Sequence, residues 1–292
     1  MIKRILKIAL FSVLGIVLVL LLFYAYVSWD FNQRAAKSYG YEVSVPKISY
    51  DSASLALGAH LSVIKGCRDC HSDDLGGRVM IDDPALGRLV PTNLTKGEGG
   101  TGAQYSAEDW VRALRHGVGP DQKPLLFMPA HETANMTDKD LAALIAYCTQ
   151  SAAVTRELPA IEVRPLGKLL NYFGKMHMFP VEMIDHEFIP PADMDKSISH
   201  EFGEYLAVSC TGCHYSNFKG GSPQVPGSPP VADITSTGKL ANWTEADFIQ
   251  TLRTGKTPEG KVMQNEFMPW QMTKEFTDEE LKSLFLYLKA QP

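Results

Sequence analysis

Two pentapeptides constrain this 292-residue chain more than anything else in it: Cys67-Arg68-Asp69-Cys70-His71 and Cys210-Thr211-Gly212-Cys213-His214. C-x-x-C-H is an attachment signal for a c-type haem. Its two thiols add across two vinyl groups of one porphyrin, and the two-residue spacer lets both sulfurs reach one edge while the adjacent imidazole lies over the metal. With 5 Cys and 8 His in the chain, composition alone yields far fewer than one such pentapeptide. Zinc ribbons also use C-x-x-C pairs, but set them roughly 15–20 residues apart, whereas these begin at Cys67 and Cys210. A thioredoxin-like pair needs a βαβ setting that the flanking sequence does not suggest. The expectation is two covalently bound haem c groups, held by Cys67, Cys70, Cys210 and Cys213, with His71 and His214 on the irons.

The fifth cysteine, Cys148, has no partner, so no disulfide framework is expected. Hydrophobic residues at 45% and charged residues at 21% describe globular protein rather than disorder. The formal charge is −5. Lys3, Arg4 and Lys7 precede the first acid, so the remainder is more acidic still. Such a body argues against nucleic acid, whose phosphates need Lys and Arg. It suits a redox partner with a basic docking patch, or plain solubility.

Ile8 to Val27 is apolar and uncharged over 20 residues, the length of a helical bilayer span. The basic start places the N-terminus in the cytoplasm, and Tyr24, Tyr26 and Trp29 fall at the far interface. A cleaved signal peptide has an apolar core of about 7–15 residues and an A-x-A-like site. This run is longer, and Tyr24 to Trp29 offers no such site. Residues 1–29 therefore read as a single-pass anchor in a bacterial inner membrane, with haem domains in the periplasm, where bacterial c-type haems are attached. Residues 30–51 read as a stalk.

Beyond the stalk the sequence repeats itself, over 52–152 and 199–292. Each repeat opens with a short amphipathic helix carrying a glycine (Gly58, Gly203) just ahead of C-x-x-C-H. Paired glycines follow, then Asn93-Leu94-Thr95 or Asp233-Ile234-Thr235. Capping-box-like starts at Ser106 and Thr244 lead into helices that Gly117 and Gly255 are placed to end. Each repeat then carries Phe-Met-Pro, at 127–129 and 267–269, and closes with a capped helix. That helix is apolar at Leu141, Leu144, Ile145 and Cys148, or at Leu281, Leu284, Phe285 and Leu288. Little reads as strand. Between the repeats, residues 153–198 are proline-rich around an amphipathic stretch from Leu166 to Phe179. Their large apolar residues argue for an ordered connector packed across both domains.

An electron-transfer haem needs a second axial ligand, and a thioether opposite His raises the potential. Met128 and Met268 recur at matching places, each before a proline that holds the preceding residue extended. Methionine also fills core gaps, but the recurrence of Phe-Met-Pro favours the ligand role. Nearby substitutes are Met136, His116 and His131 in the first repeat, and Met263 and Met272 in the second.

With these residues in place, both repeats resemble class I c-type cytochrome domains: helix, C-x-x-C-H, loop, helix, Met-Pro, helix. More narrowly, Pro91-Thr92-Asn93-Leu94-Thr95, the run from Arg112 to Gly119 and Phe127-Met128-Pro129 resemble the cytochrome subunits of bacterial membrane-bound alcohol and aldehyde dehydrogenases. The likeness covers residues 50–150 and, more loosely, 199–292. Those subunits commonly carry three haems, and this chain has two motifs. The resemblance implies a mainly α protein, an N-terminal transmembrane helix followed by two tandem class I cytochrome c domains. It implies His71 and His214 as proximal ligands and Met128 and Met268 as distal ones. It also implies single-electron transfer between a dehydrogenase or quinol-oxidising partner and an oxidase or soluble cytochrome, as a subunit of a respiratory complex more than as an enzyme by itself.

The competing function is a dihaem redox enzyme, a peroxidase or thiosulfate oxidase, with one open or Cys-ligated haem. Cys148 would be that ligand. Its helix position matches Leu288 of the second repeat, so Cys148 reads instead as a small buried hydrophobe. Arg115 and Arg253 recur, and suit either a haem propionate or the helix-end dipole. Trp110 and Phe248 read as core aromatics. His177, between Met176 and Met178, is a minor ligand candidate in the connector.

Overall fold

The computed structural model describes residues 2–223 and 228–292. Its first element, α1, spans Ile2–Ala36. It is the one helix among the described residues that is long and apolar enough to cross a membrane. The helix outlasts the apolar run, because no proline or glycine lies between Val27 and Ala36. The first residues expected as stalk are thus helical, and the rest lie against folded protein. Phe31 and Tyr39 are buried in an apolar cluster with Leu89, Val118, Met178 and Phe179. The Tyr39 N–H donates to the Gln122 carbonyl at 2.8 Å.

The first helical domain consists of α2 (Ser52–Ile64), α3 (Cys67–His71), α4 (Ala107–His116) and α5 (Asp138–Gln150). The second consists of α7 (His200–Ala207), α8 (Thr211–His214), α9 (Glu245–Thr254), α10 (Trp270–Thr273) and α11 (Asp278–Ala290), with α6 (Pro165–Tyr172) between the two. In each domain the first long helix crosses the last, α2 on α5 and α7 on α11. A Cβ at Gly58 would overlap the Ala143 carbonyl oxygen, and one at Gly203 the Ser283 carbonyl oxygen. Glycine at both crossings lets the backbones touch.

The expected caps form. Ser106 with Asp109 and Thr244 with Asp247 make reciprocal capping boxes, and Gly117 (φ 66°) and Gly255 (φ 69°) close their helices left-handed. Thr277 and Glu280 box the start of α11. At α5 the box is incomplete, although Thr137 accepts the Asp140 N–H. The Asp140 carboxylate is instead engaged by the Tyr205 hydroxyl at 2.7 Å and the Lys196 ammonium at 2.5 Å.

Three short strands form a small antiparallel sheet, β1 (Ile81–Asp83), β2 (Gly87–Leu89) and β3 (Glu162–Val163), in the order β1-β2-β3. Ile81 pairs with Leu89 and Gly87 with Val163. Strands this short leave no alternation to read. They stitch the start of the connector onto domain one. The end of the connector does the same, through Asp138 N–H to the Pro191 carbonyl and Lys139 N–H to that of Ala192, both at 3.0 Å. One apolar cluster, including Ile64, Trp110 and Leu144 with Phe202, Leu240 and Leu284, runs through both domains.

Candidate functional site

Each C-x-x-C-H unit is a single helical turn that the backbone leaves abruptly. Ser72 (φ 68°) and Tyr215 (φ 61°) follow the histidines in left-handed conformation, as do Leu75 (φ 57°) and Phe218 (φ 58°) three residues later. Four non-glycine residues at positive φ, at matched places, mark a shape the sites demand. The chain doubles back, so that Gly77 N–H donates to the His71 carbonyl at 2.8 Å and Gly220 N–H to that of His214 at 3.2 Å. The next segment then passes behind each imidazole. His71 Nδ1 lies 2.7 Å from the Thr92 carbonyl oxygen and His214 Nδ1 lies 2.8 Å from that of Ala232. A carbonyl can only accept, so Nδ1 carries the proton and Nε2 keeps its lone pair. Burial pushes both imidazoles below the ordinary histidine pKa, against the raising effect of that hydrogen bond. They are neutral rings with one nitrogen free to bind a metal.

In domain one, Cys67, Cys70, His71 and Met128 line a single cleft. It holds about 1180 Å³ not filled by protein atoms, part of it open to solvent, and its walls include Leu94, Trp110 and Ile161. Phe127 is left-handed (φ 64°), and its N–H donates to the Met178 carbonyl at 3.0 Å, so the connector braces the Met128 loop. The Trp110 indole N–H is buried without a partner. A large apolar cleft with cysteine, imidazole and thioether on its walls and an orphaned donor fits a porphyrin with acidic side groups.

Domain two repeats the turn after Met-Pro. The Met268 carbonyl accepts from Trp270 N–H at 2.7 Å, as the Met128 carbonyl accepts from Ala130 N–H at 2.7 Å. On the helix that matches α4, Thr251 is buried and its hydroxyl is orphaned. Burial pushes the Cys67 and Cys210 thiols up to about 12 and Cys70 to about 11, so all are uncharged. Among the described residues no three His, Cys, Asp or Glu cluster as a metal site.

The segments beside the two pentapeptides also meet across the domain boundary. Lys65, two residues before Cys67, donates to Ser209 Oγ at 3.2 Å and lies 5.0 Å over the Tyr205 ring. Glu132 of domain one abuts Gly212, between the cysteines of the second motif. Burial pushes the Glu132 carboxyl up to about 7, with Lys65 opposing. His60 bridges to Glu280 at 2.9 Å across the same boundary. Sequence reasoning missed Lys65, Glu132 and Tyr205, because each acts on the opposite repeat and no spacing records that.

Other candidates fall into structural roles. Arg115 donates to the Ala134 and Met136 carbonyls (2.8 and 2.9 Å) and to Asp138 (2.8 Å), and Arg253 likewise to the Lys274 carbonyl and Asp278. Both tie the turn after Met-Pro to the last helix. Trp110 and Phe248 are core aromatics, each 4% exposed. Met176 and Met178 are buried beside α1 and His177 is exposed, so these three form no ligand cluster. Cys148 is buried in the wall of the domain-one cleft, and burial pushes its thiol far up. Of the substitutes for Met128, Met136 is 1% exposed in the core and His116 is hydrogen-bonded to His186 at 2.9 Å. His131 precedes Glu132 and is half-buried, with its Nδ1 unpartnered. In domain two, Met272 packs at the domain boundary near Gly66 and Met263 is partly exposed.

The fold and these two sites define tandem cytochrome c domains. Residues 203–292 match the family model for cytochrome c, and residues 55–148 match that for cytochrome c oxidase, cbb3-type, subunit III. Such domains carry covalently bound haem c and transfer electrons. The relatives narrow the likeness. The chain is 26% identical, over 83% of its length and 55% of the relative's, to the cytochrome c subunit of an alcohol dehydrogenase (quinone) from Gluconobacter oxydans. It is 24% identical to the fructose dehydrogenase cytochrome subunit of Gluconobacter japonicus, over 82% of this chain and 53% of the other. It is 25% identical to the gluconate 2-dehydrogenase cytochrome c subunit of Pantoea cypripedii, over 73% of this chain and 54% of the other. The chain thus spans about half the length of each of these relatives.

Proposed function

We propose that this chain is a membrane-anchored dihaem cytochrome c that passes single electrons from a dehydrogenase or quinol-oxidising partner to an oxidase or soluble cytochrome. The observation that carries this is the convergence of Cys67, Cys70, His71 and Met128 on one cleft, with matching parts in domain two. In this reading Cys67 and Cys70 hold one haem and Cys210 and Cys213 the other. His71 and His214 bind through Nε2, each ring held by its Nδ1 hydrogen bond. Met128 and Met268 supply the thioethers opposite. A bound haem supplies a one-electron iron couple. The apolar walls of the domain-one cleft exclude water from it, and the braced loop of domain one keeps the Met128 sulfur in place through the change of charge.

The anchor reading places α1 across a bacterial inner membrane and both domains in the periplasm, supported by the basic residues before the span. A catalytic haem ligated by Cys148 is supported less well, because the Phe127-Met128-Pro129 loop already brings a thioether to the same cleft. The test is the purified full chain. Two porphyrins' worth of added mass are expected, together with sulfur–iron charge-transfer absorption in the oxidised state and reversible reduction without peroxide or thiosulfate turnover. A chain lacking the added mass overturns the haem assignment. One haem lacking thioether ligation, with peroxide or thiosulfate turnover that is lost in Cys148→Ala, overturns the electron-carrier reading.

A further inference from the structure

The far end of α1 is not bare. Phe23, inside the apolar run, packs its ring edge-on against Tyr172 at 5.6 Å and tilted against Phe173 at 6.1 Å. Tyr26 packs on Tyr172 at 6.2 Å, and Val27 is 1% exposed. Tyr172 and Phe173 end α6, far along the chain in the connector. One to two turns higher on α1, Lys168 donates to Ser28 Oγ at 2.9 Å and Asn32 Oδ1 at 3.1 Å. The order of contacts, Lys168 with residues 28 and 32 and Tyr172 with 23 and 26, runs α6 antiparallel to α1 and points its C-terminal end toward the membrane.

The depth follows from helix geometry. Phe23 lies four residues before the end of the apolar run, which is about 6 Å at roughly 1.5 Å per residue. A group in ring contact with it shares that depth, the boundary between acyl chains and headgroups when α1 spans the bilayer. Phe173 is nevertheless 59% exposed and Tyr172 39%. The backbone donors of this tip are already satisfied. The N–H groups of Phe173, Gly174 and Lys175 donate to the carbonyls of Leu169, Asn171 and Leu170 at 3.0, 3.0 and 2.8 Å. Gly174 turns the chain at φ 64°, and Lys175 leads it back up, exposed. A closed turn with no backbone donor to spare, two aromatic rings at its point and a lysine on each side can enter the boundary between acyl chains and headgroups without stranding an N–H.

The geometry points to the α6 tip, Tyr172 to Lys175, as a second membrane contact. It is a monotopic wedge that inserts Phe173 into the lipid beside α1 and sets Lys168 and Lys175 at the level of the lipid phosphates. The occupant is lipid, because the face is continuous with the lipid-exposed flank of α1, where Leu22 is 62%, Tyr26 51% and Trp29 59% exposed. Two points of contact, one a span and one a wedge, fix the tilt of domain one on the membrane, where a single helix leaves it free to swing. This inference rests on α1 spanning the bilayer.

The experiment uses the full chain with its haems, reconstituted without other proteins in vesicles of phosphatidylethanolamine and phosphatidylglycerol. Spin labels are attached in a Cys148→Ala background at Phe173→Cys, Val17→Cys and Ile189→Cys, the last position being 88% exposed. Collision with oxygen is compared with collision with a water-soluble nickel chelate. The proposal expects the label at 173 to favour oxygen several-fold, as at 17, and the label at 189 to favour nickel several-fold. A label at 173 that behaves like 189 while 17 still favours oxygen overturns the wedge and spares the anchor. Labels at 17 and 173 that both favour nickel overturn the two together. A label at 173 shielded from both reagents shows the tip covered by protein, and also overturns the proposal. Leu166→Cys, two turns higher, gives an independent reading, expected to fall between 173 and 189. Equal values at 166 and 173 remove the depth gradient on which the wedge stands.

Discussion

The two cytochrome domains share a scaffold and differ in what surrounds it. Both have a glycine crossing, a histidine anchored to a carbonyl, a boxed helix ended by left-handed glycine, and an arginine clamp after Met-Pro. Domain one is wrapped by the connector, which braces the Met128 loop through Met178 and adds a strand beside its cleft. In domain two the residues before Met268 stand open, with Val262 70% and Phe267 39% exposed. On the proposed reading the common parts are those that would hold a haem. The differing part decides how firmly the loop carrying the methionine is held.

Removing a haem is the severest way to test that contrast. Cys67→Ser with Cys70→Ser, or Cys210→Ser with Cys213→Ser, is expected to delete half the covalently bound porphyrin by mass. The first pair should lower the thermal midpoint more, because α4, α5 and the connector all wall that cleft. Equal losses would show that the connector adds nothing to the domain-one site. Next come Met128→Ala and Met268→Ala. Each should abolish one sulfur–iron band, but only Met268→Ala should raise hydrogen exchange across residues 262–268, since the Phe127–Met178 bond holds the other loop.

Gly58→Ala and Gly203→Ala test the shared scaffold instead. Each added methyl meets a backbone carbonyl, and each should cost roughly 1–3 kcal/mol or more in denaturant titration. A loss confined to one domain would break the equivalence of the crossings.

The domain boundary should respond to pH in two opposite senses. At Glu280, burial raises the pKa, but hydrogen bonds from His60 and Thr277 outweigh it and hold the group below 4.5. Its stabilisation is present above pH 4.5 and lost as pH falls through the lower folded value. Glu132 is raised to about 7, so its folded state binds the proton more tightly and stability falls as pH rises from 4.5 through 7. Thermal midpoints across pH should lose their acid limb in Glu280→Gln and flatten between pH 5 and 8 in Glu132→Gln. The smallest effect is expected from Lys139→Ala. Its ion pair with Asp193 pins the connector to domain one, but the side chains are 58% and 47% exposed, so the change should stay within about 0.5 kcal/mol.

Much of this was legible before any coordinates. The haem motifs, the caps at Ser106, Thr244 and Thr277, the ends at Gly117 and Gly255, and the apolar run of α1 depend on residues within a few positions of one another. Covalent chemistry, backbone hydrogen bonding and helix periodicity act over that range, and a string of letters records them in full. The short strands escaped because two or three residues show no alternation, and the stalk proved to be helix and docked chain because Phe31 and Tyr39 find partners beyond residue 85. The arginine clamps, the bracing of Phe127 by Met178, the contact of Lys65 with Ser209 and the placing of Glu132 against Gly212 were settled by packing alone. Each of these joins side chains or backbone that only a particular docking of one helix pair, loop or connector brings together. No spacing rule carries that information, because the energy deciding it is shared among the many apolar contacts of a core that runs through both domains.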